Sequence, residues 1–319
     1  MRKTLGAVGL LLLLAAGVVV NSLTPTPSAK ARNFTDYIVV PQDFNWAEVM
    51  PDNYEYKGSF TTYGGASSHN MHLPRNLVTF LPSLGREATD FIELSRQVET
   101  QGFSTDIVDF ISLKRDKPPT DLEEYAKTFA PHILTGDEKV AIVGHAFGNR
   151  VARKIANRQP GRVSAVILLA AGGQTPIPAK AEQSLKNIFN PLRTYRSRMK
   201  DVRYAFFAEG NDIPDYWKRG WHTKTAMAQA KAIANSAGDE SWHCAGGVPM
   251  QIVQPMQDRI APIENAYALR DKCPQEVEIV EVQNAGHALL PEQPEAVAKA
   301  VLDFLSKHHP TDKNRQDTP

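Results

Sequence analysis

The apolar positions of this chain fall into short, nearly continuous runs, and the segments between them carry apolar residues at helical spacing. Asn76–Leu81 is one such run; stopped by Pro82, it reads as a buried strand. Glu87–Gln101 follows with Phe91, Leu94 and Val98 on one helical face. Ile107–Ile111 reads as the next strand, Leu122–Ala130 as a helix, and Lys139–Val143 as a strand that runs straight into Gly144. Val163–Ala171 is apolar throughout. The rhythm returns near the end: strand Met250–Pro255, helix Ile263–Asp271, strand Val277–Val282 and helix Pro294–Ser306. Strands that are apolar on both sides must be covered on both sides. Alternation with helices therefore predicts an α/β fold with a mostly parallel, doubly wound sheet.

Two regions depart from this rhythm. Residues 172–245 hold Trp217, Trp221 and Trp242 and read as helices broken by Pro and Gly, the pattern of a cap inserted between strands. Residues 32–75 read as an irregular extension in which Tyr54–Tyr63 could form opening antiparallel strands. The fold proper is expected over 76–309, with a polar tail at 310–319. At the amino terminus, Arg2 and Lys3 precede an apolar run from Leu5 to Val20, the form of a secretory signal ending within residues 1–31. Ala29-Lys30-Ala31 is a candidate cleavage site, with Val20-Asn21-Ser22 nearer the run. The run is a little short of the ~20 residues that span a bilayer. Secretion or periplasmic export is expected, and an uncleaved membrane anchor is the alternative. That anchor is the one membrane contact the sequence suggests.

Composition narrows the function. The 319 residues carry 36 Lys+Arg against 35 Asp+Glu, a net charge of +1, so no overall basicity argues for nucleic acid. The two cysteines are too few for a four-cysteine zinc site, no His/Cys/Asp cluster has metal-ligand spacing, and no glycine-rich dinucleotide loop occurs. No cofactor and no metal are expected, and the partner is a small-molecule substrate or ligand. Cys244 precedes one predicted strand and Cys273 ends the helix returning from it, so both belong at one edge of the sheet. In an exported chain they should pair.

The candidate chemistry centres on Gly144-His145-Ala146-Phe147-Gly148, between a predicted strand and a predicted helix. That is the context of the G-x-S-x-G nucleophile elbow, in which flanking side chains would strike neighbouring backbone. Both glycines are present; the central residue is alanine. Asp258 and then His287 follow later strands. Elbow, acid and histidine in this order resemble the α/β-hydrolase superfamily over about residues 76–309, most of all its bacterial members with a helical cap between the sixth and seventh strands.

The resemblance implies roles position by position. Ala146 occupies the nucleophile site without a nucleophile, Asp258 orients the imidazole, and His287 is the general base. The backbone N–H of Phe147, with that of Ser83 or Leu84, would form the oxyanion hole, although Pro82-Ser83 stands where the family usually has His-Gly. Trp217 and Trp221 would face substrate from the cap, His145 reads as a packing residue, and Arg150, Arg153 and Lys154 read as a solvated helix face. A serine acyl-enzyme is impossible at Ala146. The expectation is a His-Asp base acting with water or by proton abstraction; the alternative is a silent fold that binds a ligand or partner.

Overall fold

The computed structural model describes residues 76–111, 118–173, 175–309 and Thr311. The expected signal or anchor, the extension at 32–75 and the tail beyond Thr311 lie outside the described residues. Six strands form one sheet: β1 (Leu77–Leu81), β2 (Ser104–Ile107), β3 (Val140–His145), β4 (Val163–Leu169), β5 (Met250–Pro255) and β6 (Val277–Val282). Their order is β2-β1-β3-β4-β5-β6, and every pairing is parallel. Helices α1 (Ile92–Thr100), α2 (Leu122–Ile133) and α3 (Phe147–Arg158) connect the first four strands. Between β4 and β5 lie α4 (Ala179–Ile188), α5 (Tyr195–Phe206) and α6 (Thr223–Asn235), which form the cap. Helix α7 (Glu264–Lys272) precedes β6; the short α8 (Leu289–Glu292) and the final α9 (Pro294–His308) follow it. Among the described residues no helix is long and apolar enough to cross a membrane.

The strands explain the layering. Side chains alternate across a strand, so Leu77 and Leu81, Val140 and Ile142, and Val166 and Leu168 join the core beneath α2, α3 and α7. Val78 and Phe80, Ala141 and Val143, and Ile167 and Leu169 face α1 and α9 instead. Both faces are dry, which is why these strands read as unbroken apolar runs. A third cluster, including Val202, Phe206, Phe207 and Trp217, holds the cap together.

Three sequence expectations need correction. The second strand is Ser104–Ile107, not Ile107–Ile111. Its polar residues are satisfied inside: Thr105 Oγ1 lies 2.7 Å from Ser95 Oγ and 2.5 Å from Glu99 Oε1, so an apolar search overlooks them. Phe110, read as strand, instead packs edge-on against Phe129 and Phe147 from a loop. The helix expected to stop at Ala130 runs on to Ile133 through Pro131. Finally, Arg153 and Lys154 are buried rather than solvated. The segment returning from the cap covers them: the Arg153 guanidinium sits 4.7 Å from the Trp242 ring, and Lys154 Nζ is 2.6 Å from Asp239 and 3.4 Å from Glu123. Arg150 is half-buried. Burial, then repulsion from Arg150, pulls the Arg153 pKa down to about 9.

The cysteine expectation holds. Cys244 and Cys273 are disulfide-bonded, their Cα atoms 5.5 Å apart. Cys273 caps α7, and Cys244 lies ahead of β5, at the sheet edge opposite the site loops.

Candidate active site

Parallel strands place all their outgoing loops on one side, and the sheet reverses its winding between β1 and β3, the position at which sheets of this kind take their ligands. Pro82–Arg86 leaves β1, Ala146 leaves β3, Asp258 follows β5, and His287 follows β6. The sequence elements separated by up to two hundred positions thereby meet.

The turn after β3 is as tight as the glycines suggest. Ala146 has φ 49° and ψ −101°, a conformation that costs a residue with a Cβ. A Cβ on Gly144 would lie 2.5 Å from the carbonyl carbon of Gly148, and one on Gly148 would lie 2.1 Å from the carbonyl oxygen of Leu81. The Ala146 N–H donates to the Leu169 carbonyl at 3.1 Å, and its own carbonyl accepts from Asn149 N–H at 3.2 Å. Asn149 Nδ2 donates to the Leu169 carbonyl as well, at 2.8 Å. The elbow is locked from both sides.

Asp258 and His287 meet as the chain order implies. His287 Nδ1 lies 2.8 Å from Asp258 Oδ2, and both side chains are buried. The other carboxylate oxygen accepts from the N–H groups of Ile260 and Ala261, each at 2.8 Å. The carboxylate is therefore fixed in place and can accept a proton-bearing Nδ1, which leaves the Nε2 lone pair free for base work.

His145 does more than pack. Its Nε2–H donates to the His287 carbonyl at 2.8 Å, with the two rings 5.1 Å apart. That bond fixes the tautomer and leaves Nδ1 buried with no partner among the described residues. Burial, reinforced by His287, pushes the His145 pKa well below its ordinary value, so the ring is neutral. Glu292 completes the histidine loop: its carboxylate accepts from Gly286 N–H, Ala208 N–H and Asn211 Nδ2, each at 2.7 Å.

The loop after β1 is clamped by the cap. Gly85 N–H donates to Gln229 Oε1 at 2.7 Å, and the Gly85 carbonyl accepts from His222 N–H at 2.9 Å. Arg86 is buried; it grips Asp90 with Nε and Nη2 at 2.9 and 2.5 Å and reaches the carbonyls of Arg219 and Gly220 with Nη1. Its guanidinium lies 4.2 Å from the Trp217 ring and 4.5 Å from the Trp221 ring. Burial outweighs Arg86 and raises the Asp90 pKa. Trp217, expected to face substrate, does not: it is wholly buried among Phe206, Phe207 and Trp221 as part of the cap's own core, whereas Trp221 is half-buried. Phe206 carries the cap to the histidine, its ring 5.3 Å from that of His287. Ser83 is buried and Leu84 half-buried. Gln229, Glu292, Asp90 and Arg259, which binds the carbonyls of Tyr204 and Phe207, carry no motif and escape a sequence reading. Among the described residues no group of three or more His, Cys, Asp and Glu is placed to hold a metal.

The model of the alpha/beta hydrolase family matches residues 58–300, and the chain belongs to that family. It is 24% identical over 255 residues to the 2-hydroxy-6-oxo-6-(2'-aminophenyl)hexa-2,4-dienoic acid hydrolase of Metapseudomonas resinovorans, covering 76% of this chain and 82% of that one. A shorter stretch of 70 residues is 36% identical to a human monoacylglycerol lipase, 22% of this chain and 20% of the lipase. The carboxylesterase CesB of Bacillus subtilis has a similar fold, with a TM-score of 0.60 at 17% identity over 73% of this chain and 84% of its own.

Proposed function

We propose that this chain is an exported member of the alpha/beta hydrolase family that acts on a small, apolar organic substrate through a His287–Asp258 base, with no serine nucleophile. The observation that carries the reading is the buried pair at 2.8 Å, its carboxylate held by two further amide donors, in a loop bonded to the residue beside the elbow. In the reaction, His287 Nε2 takes a proton from water, and the resulting hydroxide adds to the substrate carbonyl carbon. The carbonyl oxygen becomes an oxyanion facing the amides of Phe147 and of Ser83 or Leu84. Collapse expels the leaving group, which takes the proton back from Nε2 while Asp258 stabilises the transient imidazolium. A substrate with an acidic C–H or O–H could instead lose that proton to Nε2. The acid in the name of the Metapseudomonas relative has an enolic hydroxyl and a ketone, a substrate class on which such a base can act.

Magnitudes set the pace. A general base contributes ~10²–10⁴, and losing the nucleophile costs a serine hydrolase on the order of 10⁶ in kcat. Turnover is therefore slow. The disulfide favours an oxidising compartment and, with the apolar run Leu5–Val20, supports export; an uncleaved run would leave the protein tethered to a membrane. Ala146 itself favours a second reading, a silent fold that binds a ligand or partner.

Restoring the serine separates the two. Ala146→Ser should hydrolyse short p-nitrophenyl esters and take up a fluorophosphonate at residue 146, while the parent chain takes up none. Adding His287→Ala or Asp258→Asn to that variant should each abolish most of the gain, and both together little more than the worse one. Labelling of the parent chain at any serine refutes the nucleophile-free site. A silent Ala146→Ser variant hands the lead to the binding reading.

A further inference from the structure

The cap carries an uneven share of charge. Residues 179–235 contain 11 Lys and Arg against 5 Asp and Glu, a net +6 in a chain whose total is +1, so the remainder is net acidic. Much of this charge gathers on the outer face of α5. There an open cavity of about 870 Å³ is rimmed by Arg196, Lys200, Arg203 and Lys218 over an apolar floor of Met199 and Ile213. Asp212, which pairs with Arg203 at 3.6 Å, is the one carboxylate in the lining, and Lys218 pairs with Asp215 beside it, so Arg196 and Lys200 carry the uncompensated charge. Arg196 and Lys200 are exposed and meet no carboxylate among the described residues. At the edge of the cavity Tyr195 is 57% exposed, and Leu192, just ahead of the helix, is 74% exposed. A lone exposed leucine carries no meaning. Leucine and tyrosine beside a cationic basin over apolar side chains are another matter: they match the depth profile of a bilayer surface, where phosphates meet cations and amphipathic rings sit at headgroup level.

We propose that the outer face of the cap docks on an anionic lipid bilayer, with a lipid phosphate in the α5 cavity and Leu192 and Tyr195 inserted at the interface. In a chain that keeps the apolar run Leu5–Val20, the run adds a second, independent membrane signal, and attachment by two signals is far firmer than by one. The docking needs no chemistry at His287 and stands apart from the catalytic reading.

Hydrogen exchange on the full-length protein tests it, because an embedded amino-terminal segment would tether the protein to either vesicle type equally. Vesicles of phosphatidylglycerol and phosphatidylcholine should slow exchange over residues 190–204, and pure phosphatidylcholine vesicles should not. The protection should vanish in 0.5 M salt, and Arg196→Glu with Lys200→Glu should weaken it roughly thirtyfold or more in lipid concentration. Neither residue has a carboxylate partner among the described residues, and an unchanged far-UV spectrum and melting curve would show that the variant is folded. Equal exchange on both vesicle types overturns the proposal. So does equal protection by inorganic phosphate or glycerol phosphate without vesicles, which would make the cavity a site for a soluble anion. Protection that survives the double substitution overturns it too.

Discussion

Ala146 holds a backbone conformation that alanine does not favour, in a turn enforced by its glycine neighbours. Such strain costs on the order of 1–3 kcal/mol. Ala146→Gly should therefore raise stability by roughly 1 kcal/mol, against the usual penalty for glycine, as measured by urea denaturation. A loss of stability would mean that the turn is relaxed. His145 makes a second prediction at this scale. Its pKa is lowered by burial, so the folded state resists its protonation while the unfolded chain protonates near the ordinary value of 6.5. The stability is complete above that value and declines as pH falls below it, by up to about 1.4 kcal/mol per pH unit for one proton. His243, lowered to about 4 chiefly by burial, adds to the same decline. Urea midpoints compared at pH 7 and pH 5 should fall in the parent chain and fall less in His145→Gln, whose amide can still donate to the His287 carbonyl.

At the scale of elements, polar clamps join the cap to the loops of the sheet, beside apolar contacts that bring Ala232 of α6 into the core under the sheet and Ala288 into the cap cluster. Arg86 and Asp90 form a buried pair beneath the cap tryptophans, and the same guanidinium holds the Arg219–Gly220 backbone. Removing one partner leaves a charge buried and uncompensated. Asp90→Ala should cost about 3–5 kcal/mol in chemical denaturation and loosen residues 219–222 in hydrogen exchange. A cost under 1 kcal/mol would show the clamp to be incidental. On the other side, the disulfide ties the segment after the cap to the end of α7 across 29 positions. In the chain-entropy picture, a loop of this length makes the bond worth about 3.5 kcal/mol. Thermal melts of Cys244→Ser with Cys273→Ser, or of reduced protein, should show that loss, and non-reduced protein should give no free thiol.

For the whole molecule, the site is a product of parallel topology. The loops after β1, β3, β5 and β6 share one edge, so the elbow, acid and histidine converge although the cap separates the first from the last two. The cap then binds every one of those loops except the elbow: Gln229 and His222 hold the loop after β1, Arg259 ties the acid loop to the end of α5, and Glu292 ties the histidine loop to residues 208 and 211. Displacing the cap would loosen the loop after β1 and the histidine loop together.

The sequence by itself determined the parallel sheet, because strands covered on both faces, β3 and β4 above all, read as nearly continuous apolar runs. It also determined the elbow, because Gly144 and Gly148 face backbone closer than any Cβ allows, and the order of Asp258 and His287, because each lies in the loop that follows a strand. The pairing of Cys244 with Cys273 was legible for a similar reason: a strand and its return helix run in opposite directions. Tertiary structure alone decided the rest. Ser104–Ile107 is a strand because Ser95 and Glu99 satisfy its threonine, and such pairing leaves no trace in hydropathy. Arg153 and Lys154 have the spacing of a solvated face and are buried because Trp242 and Asp239, some ninety positions away, close over them. Hydropathy reports what a side chain prefers when it meets water. Whether it meets water is settled by partners that only the folded chain brings near.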